Sequence, residues 1–216
     1  MELKNKFERY LKQALDTVYS EPDTPNFHTP IIHQMVDMFV PMMDLKNDSH
    51  ILDIGCGQGA FIKYMTHKGF NNLIGVTLNA EDSNACEEDG FETLCCDFSD
   101  LPLGNNSVDL IWCRHALEHS PFPIFSLMEF NRLLKTNAFM YVEVPAPNMD
   151  DRQHENNPNH YSVLGDRMWI SLFNKTGFNV AEYRQYKFEL NQEGKAIPEL
   201  FYCFLLKKNQ SLPCNQ

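Results

Sequence analysis

The chain has 216 residues, enough for one sizeable domain and marginal for two. Hydrophobic residues make up 43% and aromatics 12%, which supports a packed core and argues against general disorder. The net charge of -11, with no basic run, disfavours binding to phosphate backbones, and no apolar run approaches the ~20 residues of a membrane span. The opening M-E-L-K-N-K-F-E-R-Y is too charged for a signal peptide. Seven cysteines occur without a C-x-x-C pair, so neither zinc nor a disulfide framework is suggested, and reduced thiols in the cytoplasm are the expectation.

Residues 1–48 read as a helical N-terminal extension. Leu3, Phe7, Tyr10, Leu11, Ala14, Leu15 and Val18 recur at helical spacing, and two prolines within residues 20–25 then break the pattern. Thr29 and Pro30 resemble a cap followed by proline at the first helical position. Ile31, Ile32, Met35, Val36 and Phe39 continue as a second helix that Pro41 ends. The second helix is expected to pack on a sheet; the first either packs or forms a lid.

Residues 50–60, H-I-L-D-I-G-C-G-Q-G-A, organise the rest. Ile51, Leu52 and Ile54 form a short buried strand, Gly55, Gly57 and Gly59 a tight turn, and Phe61, Ile62 and Met65 begin a helix. Strand, glycine turn and helix bring backbone close to a nucleotide-like ligand. Gly55, Gly57 and Ala60 satisfy the dinucleotide pattern, but Asp53 is not part of it. A carboxylate there repels a pyrophosphate and attracts an ammonium or a sulfonium. D-x-G-x-G-x-G resembles the first motif of the class I S-adenosylmethionine-dependent methyltransferases, whose acidic residue sits at the methionine end of the cofactor.

Strands follow over residues 72–78, 91–96, 107–113 and 138–144, with helices over 125–134 and 166–176. Gly177 caps the last helix, and residues 178–188 and 199–206 close the sheet. This alternation predicts a single Rossmann-like α/β domain over residues 49–207, with a mainly parallel, doubly wound, seven-stranded sheet. Residues 208–216 read as a flexible tail.

The second strand ends G-V-T-L-N, without the acid that both dinucleotide sites and class I methyltransferases usually carry. The stretch resembles cyclopropane fatty acid synthases, in which Thr-Leu stands at this place. That resemblance gives Thr77 and Leu78 a place at the cofactor ribose, with Glu81 or Asp82 reaching it from the next helix. Asp97 and Phe98 end the third strand, where the methyltransferase family holds the adenine amino group and packs its ring. Residues 101–111, L-P-L-G-N-N-S-V-D-L-I, resemble the family stretch L-P-F-x-x-x-S-F-D. Residues 113–123, C-R-H-A-L-E-H-S-P-F-P, resemble the x-L-E-H-x-x-x-P segment of the ubiquinone-biosynthesis type of methyltransferase. In that type, residues after the fourth strand line the methyl-transfer site, which points to His115 and His119, with His115 also near the cofactor. A family-typical Asp is replaced by Phe122, so the substrate class does not carry over.

Residues 145–164 are a long polar insert over the carboxyl ends of the strands. His154, Glu155, His160 and Tyr161 are its chemical candidates, and residues 148–161 are expected to close the acceptor pocket, with His154 contacting the acceptor or its leaving proton. The spacing matches no metal motif, so no metal ligand is expected. The resemblance implies methyl transfer from S-adenosylmethionine to a small-molecule acceptor, chiefly by O-methylation, with His119, His154 and His115 as catalytic candidates. A nucleotide-binding oxidoreductase and a catalytically silent partner subunit are the alternatives; oligomeric state is not legible.

Overall fold

A computed structural model describes residues 9, 12, 26–149, 154–192 and 194–209. The first predicted helix, and with it the lid reading, lies outside the described residues except at positions 9 and 12. The chain then runs α1 (His28–Phe39), β1 (Ile51–Ile54), α2 (Ala60–His67), β2 (Leu73–Thr77), α3 (Ala80–Glu88), β3 (Glu92–Cys95) and β4 (Val108–Arg114). It continues with α4 (Pro123–Leu133), β5 (Leu134–Pro145), α5 (Asp166–Lys175), β6 (Phe178–Gln192) and β7 (Lys195–Lys208). Short 3-10 turns occupy Val40–Met42, Leu117–His119 and His154–Asn156. Among the described residues, no helix is long and apolar enough to cross a membrane.

The strands form one seven-stranded sheet in the order β3-β2-β1-β4-β5-β7-β6. All neighbours are parallel except β7, which runs antiparallel to both β5 and β6. The order reverses between β1 and β4, and the carboxyl ends of the strands around such a switch point form the ligand crevice.

Strand alternation assigns residues to the two faces. Ile111 and Cys113 of β4 join Leu127 and Phe130 of α4 and Trp169 and Phe173 of α5. Leu110 and Trp112 join Met35, Val36 and Phe39 of α1 and Phe61 and Ile62 of α2. Trp112 is stacked between Phe61 at 4.7 Å and Tyr141 at 4.0 Å. The same alternation carries Asp53, Arg114 and Glu143 onto the α1 side, all at or near the carboxyl ends of their strands.

The closing strands are longer than the sequence suggests. Residues 189–198 are polar enough to read as loop, yet β6 and β7 stay paired from Phe178↔Lys208 to Gln192↔Lys195, around a turn at Gly194 with φ +80°. An antiparallel hairpin needs backbone pairing rather than two apolar faces, so composition hides it. Lys208, expected to open the tail, instead ends β7 and is buried; its ammonium donates to Asn106 Oδ1 and to the carbonyls of Asn131 and Leu134.

Candidate active site

The turn after β1 is made by backbone geometry. Gly55 and Gly57 have φ of +72° and +49°, a region that L side chains rarely adopt. Gly55 is also constrained by packing: a Cβ there would lie 2.6 Å from Ala116 Cβ. Gly55 N–H and Cys56 N–H both donate to the Val76 carbonyl, which ties the turn to the end of β2. Gly59, with φ +78°, starts α2. Asp53 is 4% exposed and lies in the strand two residues before the turn.

At the end of β2, Thr77 Oγ1 accepts from Asn79 N–H, leaving its own hydroxyl hydrogen to donate. Asn79 caps α3 by accepting from Glu81 N–H. Leu78 is half-buried beside them, while Glu81 is exposed and Asp82 buried. At the end of β3, Asp97 Oδ1 accepts from Ser99 N–H, and Oδ2 is buried with no hydrogen-bond partner among the described residues. Burial pushes this carboxyl above its usual range. Phe98 packs inward, 5.9 Å from the Phe130 ring.

The ends of β4 and β5 carry a buried ionic network. Glu143 Oε1 lies 2.7 Å from Arg114 Nε and 3.1 Å from His115 Nε2, in charge contacts rather than aligned hydrogen bonds. Tyr141 donates to Glu143 Oε2 at 2.6 Å. Burial alone would raise the Glu143 carboxyl, but Arg114, His115 and Tyr141 outweigh it and hold the pKa at about 2. His115 adopts φ +49°, and its Nδ1 donates to Glu118 Oε1. Burial would lower its pKa, but the contacts to Glu118 and Glu143 raise it. Glu118 is held low in turn, because His115 and His119 outweigh its desolvation. Arg114 Nη1 donates to His28 Nδ1 of α1, which links the network to the N-terminal helix.

The insert docks on this network. Tyr161 N–H and Ser162 N–H donate to the Glu118 carbonyl, and His119 Nδ1 donates to the Asn159 carbonyl at 2.9 Å. His160 Nδ1 donates to the His154 carbonyl at 2.9 Å, and burial lowers the pKa of this imidazole. His154 Nε2 lies 2.9 Å from Glu199 Oε2 of β7, with both residues buried, so its ring faces the hairpin. Glu155 Oε1 accepts from Asn148 N–H, and Tyr161 is exposed.

Of the residues the sequence singles out, the structure places Asp53, Gly55, Gly57, Gly59 and Thr77 at the ends of β1 and β2, and His115, His119 and His160 after β4 and in the insert docked on it. His28, Arg114, Glu143 and Glu199 escaped the sequence reading. An acid in the otherwise apolar strand A-F-M-Y-V-E-V was the available signal for Glu143. Nothing local in the sequence marks Glu199 or His28.

A 3-2-1-4-5-7-6 sheet with a glycine turn after β1 and acids near the carboxyl ends of β1 and β3 is the class I methyltransferase fold. Residues 52–142 match the methyltransferase domain. An uncharacterized protein of Methanocaldococcus jannaschii is 29% identical over 156 residues, covering 72% of this chain and 66% of the relative. A sarcosine/dimethylglycine N-methyltransferase of Halorhodospira halochloris is 27% identical over 170 residues, covering 62% of this chain and 61% of the relative. The chain thus spans less than two thirds of the length of the curated relatives it matches first. A solved SAM-dependent methyltransferase from Archaeoglobus fulgidus superposes with a TM-score of 0.66 at 17% identity, covering 94% of this chain and 99% of that one, a likeness of fold. The matched domain model and one of these two relatives are named as methyltransferases.

Proposed function

We propose that this protein transfers the methyl group of S-adenosylmethionine to an oxygen of a small-molecule acceptor. The buried Asp97 Oδ2, with no hydrogen-bond partner among the described residues, carries the cofactor half of this reading, because an adenine amino group is the donor it lacks. Asp53 would hold the ammonium or face the sulfonium, and Thr77 would donate to the ribose. The glycine turn would admit the cofactor against backbone. When bound, S-adenosylmethionine supplies an electrophilic methyl for in-line displacement.

The protein's own contribution is chiefly to position two reactants. The Arg114–Glu143–His115–Glu118 network fixes the floor at the ends of β4 and β5. Glu118, His119 and His160 form the face toward the acceptor. Acceptor-nitrogen imidazoles beside a carboxylate suit a hydroxyl, which must lose a proton on methylation. His154, bound to Glu199, anchors the insert over this face. The net charge of -11 supports a small molecule rather than nucleic acid as acceptor.

The test is calorimetry with S-adenosylmethionine, followed by mass spectrometry of matched hydroxyl and amine acceptors incubated with methyl-labelled cofactor. Micromolar cofactor binding and label on hydroxyl acceptors are expected. Label on amines alone would overturn the choice of oxygen, and absence of cofactor binding would overturn the whole reading.

A further inference from the structure

We propose that Glu118, His119 and His160 bind one divalent transition-metal ion, and that the ion holds the oxygen of the acceptor. The second half rests on the methyltransferase reading above; the first does not.

The three residues come from two segments that the fold stitches together. Glu118 and His119 lie in the 3-10 turn after β4, and His160 lies in the insert after β5. The insert is held there by the Tyr161 and Ser162 amides on the Glu118 carbonyl and by His119 Nδ1 on the Asn159 carbonyl. One ligand atom from each of the three side chains lies within 4.8 Å of the others. The two imidazole rings meet edge to face, with centroids 4.8 Å apart.

The hydrogen bonds set the chemistry of each donor. A backbone carbonyl only accepts, so the Nδ1 atoms of His119 and His160, each 2.9 Å from one, must carry the proton. Each ring therefore has its lone pair on Nε2. An imidazole fixed by a backbone carbonyl on one nitrogen, with the other left as the donor, is the usual support of a metal-binding histidine. Glu118 is 1% exposed, and its Oε1 accepts from His115. Its Oε2 is buried with no hydrogen-bond partner among the described residues. A buried carboxylate oxygen left unpaired is costly, and a cation offsets that cost.

Two imidazoles and a carboxylate favour zinc, manganese, iron or cobalt over magnesium, which prefers oxygen donors. Bonds of ~2.0–2.2 Å place neighbouring ligands about 3 Å apart, so the side chains must close on the ion. His160 would exchange its 3.2 Å contact with Asn157 Nδ2 for the ion. Three protein ligands leave positions for water or for an acceptor hydroxyl, which coordination acidifies; its proton passes to solvent.

The test uses the full chain, stripped with a chelator and dialysed, then titrated separately with Co²⁺, Mn²⁺ and Zn²⁺ by calorimetry and by Co²⁺ absorption. One ion per chain and a raised thermal midpoint are expected. His119→Ala and His160→Ala should each weaken binding by about 100-fold or more, beyond the ~10–100-fold typical of an outer-shell partner. Glu118→Gln should weaken it further if circular dichroism shows it folded; His160→Ala, in the insert, keeps the proposal testable if it does not. Failure of the parent to bind any of the three ions at millimolar concentration would overturn the site, as would parent affinity in both histidine variants. Cofactor affinity, measured on the stripped protein, separates the two readings: cofactor binding without metal binding removes only the metal site. Methyl transfer unaffected by chelator would remove the acceptor-oxygen role.

Discussion

Where β1, β2 and β3 end, the crevice is made mostly of backbone: positive-φ glycines, a capped helix start and one strand-end carboxylate on each side. Where β4 and β5 end, and where β7 runs back alongside them, it is made of side chains: Arg114, His115, Glu118 and Glu143 form one network, and His154 pairs separately with Glu199. The first region depends on local conformation, so a substitution there is expected to remove ligand binding while the domain stays folded. The second is held by charge contacts in the interior, so its chemistry and the domain's stability change together.

Five substitutions test that contrast. Glu143→Ala should have the largest effect, because it strands Arg114 beside a buried imidazole. A loss of about 3–5 kcal/mol in urea unfolding is expected, typical of breaking one partner of a buried pair. A loss below ~1 kcal/mol would mean the network is not structural. Gly57→Val should abolish detectable cofactor binding by calorimetry while circular dichroism stays that of the parent, since a β-branched residue resists φ +49°. Unfolding of this variant would erase the distinction between the two regions.

Asp53→Ala should weaken cofactor binding through one charge-assisted contact worth ~1.5–3 kcal/mol, about 10- to 150-fold in Kd. Equal affinity in variant and parent would remove Asp53 from the site. His154→Ala cuts the contact with Glu199 and should loosen the insert. Cofactor affinity stays at the parent value, while KM for the acceptor rises and turnover falls by less than ~10²-fold, the scale expected of a general base. A larger fall in turnover at unchanged KM would return His154 to the role of base.

The smallest effect is on pH dependence. The raised His115 pKa contributes stability below the unfolded value of about 6.5, and that contribution is lost as pH rises through the folded value. The depressed Glu143 pKa contributes above about 4.5 and is lost as pH falls toward about 2. His115→Gln should therefore flatten the alkaline decline in thermal midpoint while keeping the acid one. An unchanged alkaline slope would place the responsible proton elsewhere.

The same contrast explains what the sequence made legible. The turn at Gly55, Gly57 and Gly59, with Asp53 before it and Asp97 further on, is contiguous or tied to strand ends that periodicity locates. The sheet followed from the same alternation, except where the polar β6–β7 hairpin hid the length of both strands. The network at the other end depends on tertiary pairing. Arg114 and Glu143 meet because β4 and β5 are in register at those two residues. His154 meets Glu199 across 45 positions of chain. His119 and His160 looked like separate candidates because nothing in their spacing shows that the insert folds back onto the loop after β4.

The contact between Gly55 and Ala116 joins the two regions. The missing methyl at Gly55 is the space that Ala116 fills, and Ala116 follows His115 directly in the chain. Under the proposed reading, the cofactor turn and the acceptor floor would meet across this contact. A shift of the turn on cofactor entry would reach His115 through Ala116. Such a contact would link the two binding equilibria, and the linkage would be reciprocal: cofactor should tighten or weaken acceptor binding by the same factor that acceptor alters cofactor binding.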